Sequence, residues 1–546
     1  MPLKGILKLS SDLPAITDGV VIHDPSIAAG GRQDVEIDGN GHEIFAVQAL
    51  PAGITVTISD LKLTKGQSAA GGAINIDVGA GSVTLDNLVV THNQAIGHLT
   101  GFASNRGLGG GIAVVTGSAL IENCQITKNA AVGFDGRSGS GGHKGDDGGV
   151  ASGGGIEVSE SASLDVRNSI ISKNVAKGGT AGRGSNGRQT SSSIWSATAG
   201  SDGGNAYGGG IANLGVLILE KTQIETNLAK GGRGGNGGHG QNAGPKVPID
   251  AHSLGGAGGQ GGFANGGGVS NQFGASATIT DSTISSNKAI AGNGGNGGNG
   301  GTAKTIGAGG SDGGDGGDGG VAAGCGIESS HGSLDIEDSS IVGNRGLGGK
   351  GGSGGKATIP GAHAGKTALH LDVLGGGIYS SNGTLSLSQV TIAINSAFSG
   401  GGISIFYDSS VRIANSTIAR NIVSGLGGGI DITSSSVTIV STIVALNISH
   451  FSPDIDGEIV VSHSLIQHIA GVQSATLKSD TIVGVDPLLG PLQMNGGLTP
   501  TMCPSLQSPV IGKGDNPDQL TTDQRGLARV LPAVGGAIDI GAVELG

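Results

Sequence analysis

Apolar residues recur in this chain at fixed distances from an asparagine. The asparagines are Asn93, Asn129, Asn174, Asn227, Asn287, Asn344, Asn395, Asn421 and Asn447. Three positions before them stand Val90, Ile126, Ile171, Ile224, Ile284, Ile341, Ile392, Ile418 and Val444. Eight before stand Leu85, Ile121, Val166, Leu219, Ile279, Ile336, Leu387, Ile413 and Ile439, and ten before stands another small or aliphatic residue. Slots two apart share one face of a strand. Each phrase opens on glycines followed by an apolar residue, at Ile74, Ile112, Ile156, Ile211, Val269, Ile327, Ile378, Ile403 and Ile430, 16 to 19 residues before its asparagine. A self-similar phrase of fixed internal length marks a repeat architecture.

The shortest repeats, Ile378 to Ile403 and Ile403 to Ile430, span 25 and 27 residues, enough for three short strands and three turns. Less regular coils precede and follow the series. About a dozen coils at ~4.8 Å each make a rod of roughly 55–60 Å, with right-handed crossovers. The expected fold is therefore all-β: a single right-handed parallel β-helix solenoid. The asparagines should sit inside its corners, where a carboxamide offers donors and an acceptor to the turn and to the next asparagine.

Between asparagine and next phrase the spacing is 8 and 9 residues at the end of the series, but 19, 27, 37, 42, 40 and 34 before it. Every insertion thus leaves the coil at one corner. Residues 294–301 read GGNGGNGG and 313–320 read GGDGGDGG; 231–240 and 255–262 are similar. A period of three fits a polyproline-II-like helix. The expectation is a lateral layer of polyglycine-II-like hairpins, with two glycine faces against neighbours and the third residue facing solvent. Three regions follow: opening coils over 1–65, a repeat β-helix over 66–450 with inserts between about 94 and 374, and last coils with a C-terminal capping region over 451–546.

Composition narrows function. Glycine is 113 of 546 residues, charged residues are 13%, and the net charge is −12, which argues against a nucleic-acid partner. No apolar run is long enough to span a membrane as a helix. Cys124, Cys325 and Cys503 form neither a disulfide framework nor a metal-ligand spacing. No export signal follows Met1, which leaves an intracellular protein or a chain without its leader.

The phrase GGGISIFYDSSVRIANSTIARN (Gly400–Asn421) resembles bacterial surface proteins of the right-handed parallel β-helix class, including polymorphic outer-membrane proteins. LPAITDGVVI (Leu13–Ile22) and IDGNGHEIFAV (Ile37–Val47) resemble that class's opening coils. DPLLGPLQMNGGLTPT (Asp486–Thr501), SPVIGKGD (Ser508–Asp515), TDQRG (Thr522–Gly526) and DIGAVE (Asp539–Glu544) resemble the tail of choice-of-anchor surface proteins. The chain departs from that tail at Met494, where an acid is usual, and at Met502–Cys503, where His-Ala is common. The inserts resemble polyglycine bundles of phage adhesin tips and glycine-rich repeats of mycobacterial surface proteins. The resemblance implies an extracellular or cell-surface location and a shortened chain.

Chemistry is sparse. The slot after each glycine cluster, taken as outward, reads Asn75, Ala113, Glu157, Ala212, Ser270, Glu328, Tyr379, Ser404 and Asp431; no two adjacent coils of that series carry carboxylates. Six before each asparagine, Asp281 and Asp338 would stack at ~4.8 Å, near the ~5–5.5 Å of a retaining glycosidase pair. Asparagine is the commonest member of that slot, so a second turn ladder is the plainer reading. Asp312, Asp315 and Asp318 lie three apart and could hold calcium weakly; a solvated acidic edge explains them as well. No other cofactor or metal is expected. Insert tips gather apolar residues, among them Trp195, Ile249, Leu254 and Ile306, as a cap or a contact surface. The expectation is a non-catalytic surface scaffold or adhesin whose tips meet a glycan or protein ligand. The alternatives are a polysaccharide lyase or hydrolase, and a filament subunit that self-associates end to end.

Overall fold

The computed structural model describes residues 5–25, 35–98, 106–189, 194–242, 253–302, 311–358, 362–408, 410–478, 480–529 and 537–545. Within them the chain is a parallel β-helix with no helix of any kind, hence none long and apolar enough to cross a membrane. One wall is a fourteen-stranded sheet from Gly5–Lys8 to Ile482–Val483. It carries the strands three residues before each asparagine, such as Gln223–Glu225 and Thr283–Ser285. A broader wall carries the strands on either side of the slot after the glycines, such as Ile211–Asn213 and Val216–Glu220. A nine-stranded sheet holds Gln67–Ser68 and the strand after each asparagine from Asn93 to Asn421, such as Leu228–Lys230. A six-stranded sheet holds two-residue strands just before the glycines, such as Ala206–Tyr207. The coil is thus more finely divided than three strands and three turns.

The stack is in register. Phe45, Ile74, Ile112, Ile156, Ile211, Val269, Ile327, Ile378, Ile403, Ile430 and Ile455 pair in succession. The columns three, eight and ten before the asparagines all lie in the buried aliphatic core. A second core runs beside it, made of alanines from the two smaller sheets: Ala131, Ala176, Ala229 and Ala289 against Ala151, Ala206, Ala264 and Ala322. Their small size lets the two sheets approach where the inserts depart.

The asparagines form a continuous buried ladder. The residue before each, from His92 to Leu446, has φ between 56° and 66°. That left-handed corner turns backbone groups away from strand partners. Asn287 shows the replacement: its Nδ2 donates to Ile224 O at 2.9 Å and to Asn344 Oδ1 at 3.1 Å. Its Oδ1 accepts the Asn227 backbone N–H and Nδ2, both at 3.0 Å. Every side-chain donor and lone pair is used. The ladder begins where Gly66 N donates to Asn93 Oδ1 at 2.7 Å, and ends where Asn447 Nδ2 donates to Asp454 Oδ1 at 2.9 Å. A carboxylate, which only accepts, is the fitting terminus for a row of donors.

A hydroxyl ladder, which sequence reasoning missed, runs five residues before the asparagines. Thr222 N donates to Ser282 Oγ and Ser282 N to Ser339 Oγ, each at 3.0 Å. Cys124 takes a place in it, its Sγ accepting Leu88 N–H at 3.3 Å. Burial pushes that thiol up to about 12, so it packs as a small side chain rather than reacting.

The glycine-rich inserts are joined by three kinds of backbone contact. One glycine of each triplet donates to the preceding segment, in rows that cross the series. Such a row runs Gly352 to Gly317, Gly317 to Gly295, Gly295 to Gly259, Gly259 to Gly235, Gly235 to Ser201, Ser201 to Gly182 and Gly182 to Asp146. The other glycine donates to the equivalent segment one coil on, as Gly237 N to Asn296 O and Gly297 N to Ser353 O. The third residue was expected to face only solvent. It is exposed, but its N–H donates to the side chain of the insert before, as Asn296 N to Asn236 Oδ1 at 2.9 Å and Ser353 N to Asn296 Oδ1 at 3.0 Å. Asn and Asp recur there because a short side-chain oxygen reaches one insert onward. A Cβ at Gly297 would overlap the Gly314 carbonyl, and one at Gly298 the Gly238 carbonyl. Neither glycine has φ in the left-handed region, so space rather than torsion demands glycine here.

The C-terminal block was expected to cap the rod. Instead it lies along its side, on the fourteen-stranded sheet. Leu489, Met502, Val510 and Ile540 pack on Ala393, Ala419, Ile443 and Leu465. Gln524 accepts from Thr391 Oγ1 at 2.6 Å and donates to Ser339 O at 3.0 Å.

Candidate functional site

Asp281 and Asp338 share a slot whose φ lies between 45° and 56° in all nine coils. Asn and Asp tolerate that torsion best, which accounts for their presence. Asp338 Oδ1 accepts Gln389 Nε2 at 2.7 Å, and its carbonyl accepts Thr499 Oγ1 from the C-terminal block at 3.2 Å. Burial, then the charges of Glu337, Asp281 and Asp523, pushes its carboxyl up to about 7. The C-terminal block thus touches Asp338, and both aspartates are half-buried.

Asp312, Asp315 and Asp318 do not converge on an ion. Their Oδ1 atoms accept the backbone N–H of His363, Lys366 and Leu369 at 2.7, 2.7 and 3.0 Å. Among the described residues no three His, Cys, Asp or Glu form a metal-binding group.

Of the tip residues, Ile249 and Ile306 lie outside the described residues. Trp195 is 64% exposed and Leu254 39%. Trp195 faces Arg188 across a short antiparallel ribbon, Arg188–Gln189 with Ile194–Trp195. Its carbonyl accepts Ser253 Oγ of the following insert at 3.0 Å. Trp195 and Arg188, with His143 and Asn186, border a hollow of about 430 Å³. An indole face, a guanidinium and an imidazole can stack on and hydrogen-bond a polar ligand.

The slot after the glycines is not outward. Ala113, Glu157, Ala212, Ser270, Glu328 and Ser404 are buried there, and Asn75, Tyr379 and Asp431 half-buried. A cleft of about 210 Å³ opens there, with Glu157, Ala212 and Ser270 on one wall and Leu108, Ser152 and Tyr207 on the other. Arg106 and Asn205 line it as well. Burial pushes Glu157 up to about 7, against the pull of the Arg106 charge. Glu328 is raised too, by burial; its Oε2 accepts Ser270 Oγ at 2.7 Å and Gln272 Nε2 at 3.1 Å. Glu157 and Glu328 are three coils apart, so about 14 Å, beyond either glycosidase spacing of ~5–5.5 or ~6.5–9.5 Å. Adjacent carboxylates do occur one coil past the nine-phrase series: Asp431 pairs in register with Asp456. Burial and then the Asp456 charge push Asp431 up to about 6. The pair escaped sequence reasoning because Ser452-Pro453-Asp454 replaces the glycine cluster in that coil.

No protein-family model matches this sequence, and no curated protein matches it. Two of the solved structures similar to the chain cover most of it. One is the crystal structure of pectate lyase Pel9A, at 12% identity and a TM-score of 0.33, covering 98% of this chain and 96% of that one. The other is the Azotobacter vinelandii mannuronan C-5 epimerase AlgE4 A-module, at 10% identity and a TM-score of 0.17, covering 88% and 87%. Neither likeness bears on chemistry.

Proposed function

We propose that this protein is a non-catalytic, surface-exposed scaffold of the adhesin type, in which a polyglycine-II-like layer presents hairpin tips to a glycan or protein ligand. The observation that carries the reading is the set of hydrogen-bonded rows through the inserts, from Gly352 to Asp146 in one case. Flexible tethers need no such rows. A layer tied at every triplet fixes the tip hollow relative to the rod, which lowers the ordering cost of binding. The surface location rests on the resemblance of the coil phrase to bacterial surface proteins.

The test is a glycan array probed with the full chain, alongside assays for unsaturated and reducing-end products on uronate polymers. Retention on the array, lost in Trp195→Ala, supports the tip reading. Product release abolished by Glu157→Gln would replace it with the second reading, a carbohydrate-active enzyme. That reading is favoured by one observation: a buried carboxyl that titrates near neutrality inside a cleft.

A further inference from the structure

We propose that the cleft over Glu157 is a binding site for one pyranose-sized, polyhydroxylated ring, separate from the insert tips. Glu157 is 4% exposed; Ser159 is the one side chain that hydrogen-bonds its carboxylate, and its Oε2 has no partner among the described residues. Buried carboxylate oxygens are normally paired, so an unpaired one at the wall of a cleft is an acceptor awaiting a donor. Glu328 repeats the feature on the far side of Ser270, with Oε2 held and Oε1 unpartnered.

The surroundings select the donor. Asn205 Nδ2 donates to the Tyr207 hydroxyl at 3.1 Å, which leaves the phenolic hydrogen available to donate. Ser152 and Ser270 add hydroxyls, while Leu108 and Ala212 add apolar surface. Polar edges interleaved with apolar faces match a sugar ring, whose hydroxyls lie at its rim and whose C–H bonds form its faces. About 150 Å³ suffices for benzene, so a cleft of about 210 Å³ admits one substituted six-membered ring. Among the described residues Arg106 is the one cation lining the cleft, too few for a phosphate beside an acidic wall. The described residues hold no metal-ligand cluster to make it a cation site.

The test is isothermal titration of the full chain with glucose, glucosamine and glucuronate, each against wild type, Glu157→Gln, Tyr207→Phe and Trp195→Ala. Glucose should bind one to one with a Kd of about millimolar, as expected for one small ring. Glu157→Gln should weaken it about tenfold or more, since a bond to a charged acceptor is lost. Tyr207→Phe should weaken it by a smaller factor. Binding should tighten between pH 6 and 8 as Glu157 ionises and accepts the hydroxyl proton more strongly. Failure of all three sugars to bind overturns the proposal. So does binding of glucosamine alone, which marks a cation site, or of glucuronate alone, which marks Arg106. Loss of glucose binding in Trp195→Ala but not in Glu157→Gln would place the sugar at the tip and also overturn it. Near-ultraviolet circular dichroism of each variant confirms that its fold is kept; Tyr207→Phe stands as the second probe should Glu157→Gln lose its fold.

Discussion

Replacing Gly298 by alanine separates an ordered layer from flexible loops by the sign of its effect. In the structure, Gly298 N donates to Gly256 O and Gly298 O accepts Gly314 N, both at 2.8 Å. A Cβ there would overlap the Gly238 carbonyl, which belongs to rigid backbone. The segments must then part. Two hydrogen bonds at about 0.5–1.5 kcal/mol each, plus about 1–3 kcal/mol for overpacking, give a loss of about 2–6 kcal/mol. In a flexible loop the same change would be neutral, or stabilising by about 0.4–1 kcal/mol, because alanine restricts the unfolded chain.

Amide hydrogen exchange followed by mass spectrometry reads this directly. In the wild type, residues 292–301 should be protected nearly as well as the coil strand Ser276–Thr280. In Gly298→Ala, protection of 292–301 and of the segments at Gly256 and Gly314 should fall at least about thirtyfold, while the coil keeps its own. Wild-type inserts that exchange like a free peptide would refute the reasoning, and so would unchanged protection in the variant. Asn296→Ser is the matched control. It removes the acceptor of Ser353 N–H at an exposed site and should cost only about 0.5–1.5 kcal/mol.

Asn287→Ala strands three buried groups, Asn227 N–H, Asn227 Nδ2–H and Ile224 O, and should cost about 3–9 kcal/mol in urea denaturation; a loss under about 1 kcal/mol would deny the ladder its role. Asp454→Asn keeps an acceptor for Asn447 but turns a donor toward His468 N–H, so it should destabilise less than Asp454→Ala in thermal melts. Glu157 and Asp338 have folded-state carboxyls raised to about 7, so their contribution to stability is complete below about pH 4 and lost as pH rises through 7. For Glu157 that is roughly 3 kcal/mol at most, and Glu157→Gln should flatten the melting-temperature profile over this range. Deleting the triplet Gly297–Asn299 together with Gly313–Asp315 should cost one row of bonds, whereas deleting Asn299 alone should disorder the insert beyond it, as read by exchange.

The coil was legible because its constraints repeat at one residue per coil. An aliphatic column tolerates only aliphatic residues, and the corner after a left-handed torsion needs a carboxamide; both therefore show in nine aligned phrases. The serines five before the asparagines were equally visible in the pattern Asn415-Ser416-Thr417, but a hydroxyl signals no single role in sequence. The cleft was hidden for a different reason. Its second wall is made of two-residue strands such as Ala206–Tyr207, too short for any periodicity, so the slot of Glu157 reads as outward until those strands are placed. The role of Asn296 and Asp315 was hidden because their partners lie one insert away, 57 and 51 residues along the chain.

Insert length follows the same geometry that orders the layer. Each insert leaves and returns at the coil corner, so its neighbours are set by coil spacing and its height by the number of triplets. The first long insert joins two rows on its outward course, at Phe134 and Arg137, and the next joins three, at Gly179, Gly182 and Ser185. A taller one joins four, at Gly292, Gly295, Gly298 and Gly301, and the last returns to three, at Gly349, Gly352 and Gly355. At ~3.1 Å per residue each triplet adds about 9 Å of height. Gaining or losing one triplet on both arms preserves every contact below it, because glycine still meets carbonyl and Asn still meets N–H. Gaining one residue places a side chain where the Gly238 or Gly314 carbonyl already stands. Insert length should therefore vary in steps of three, and among the described residues the joined rows do rise from two to four and return to three.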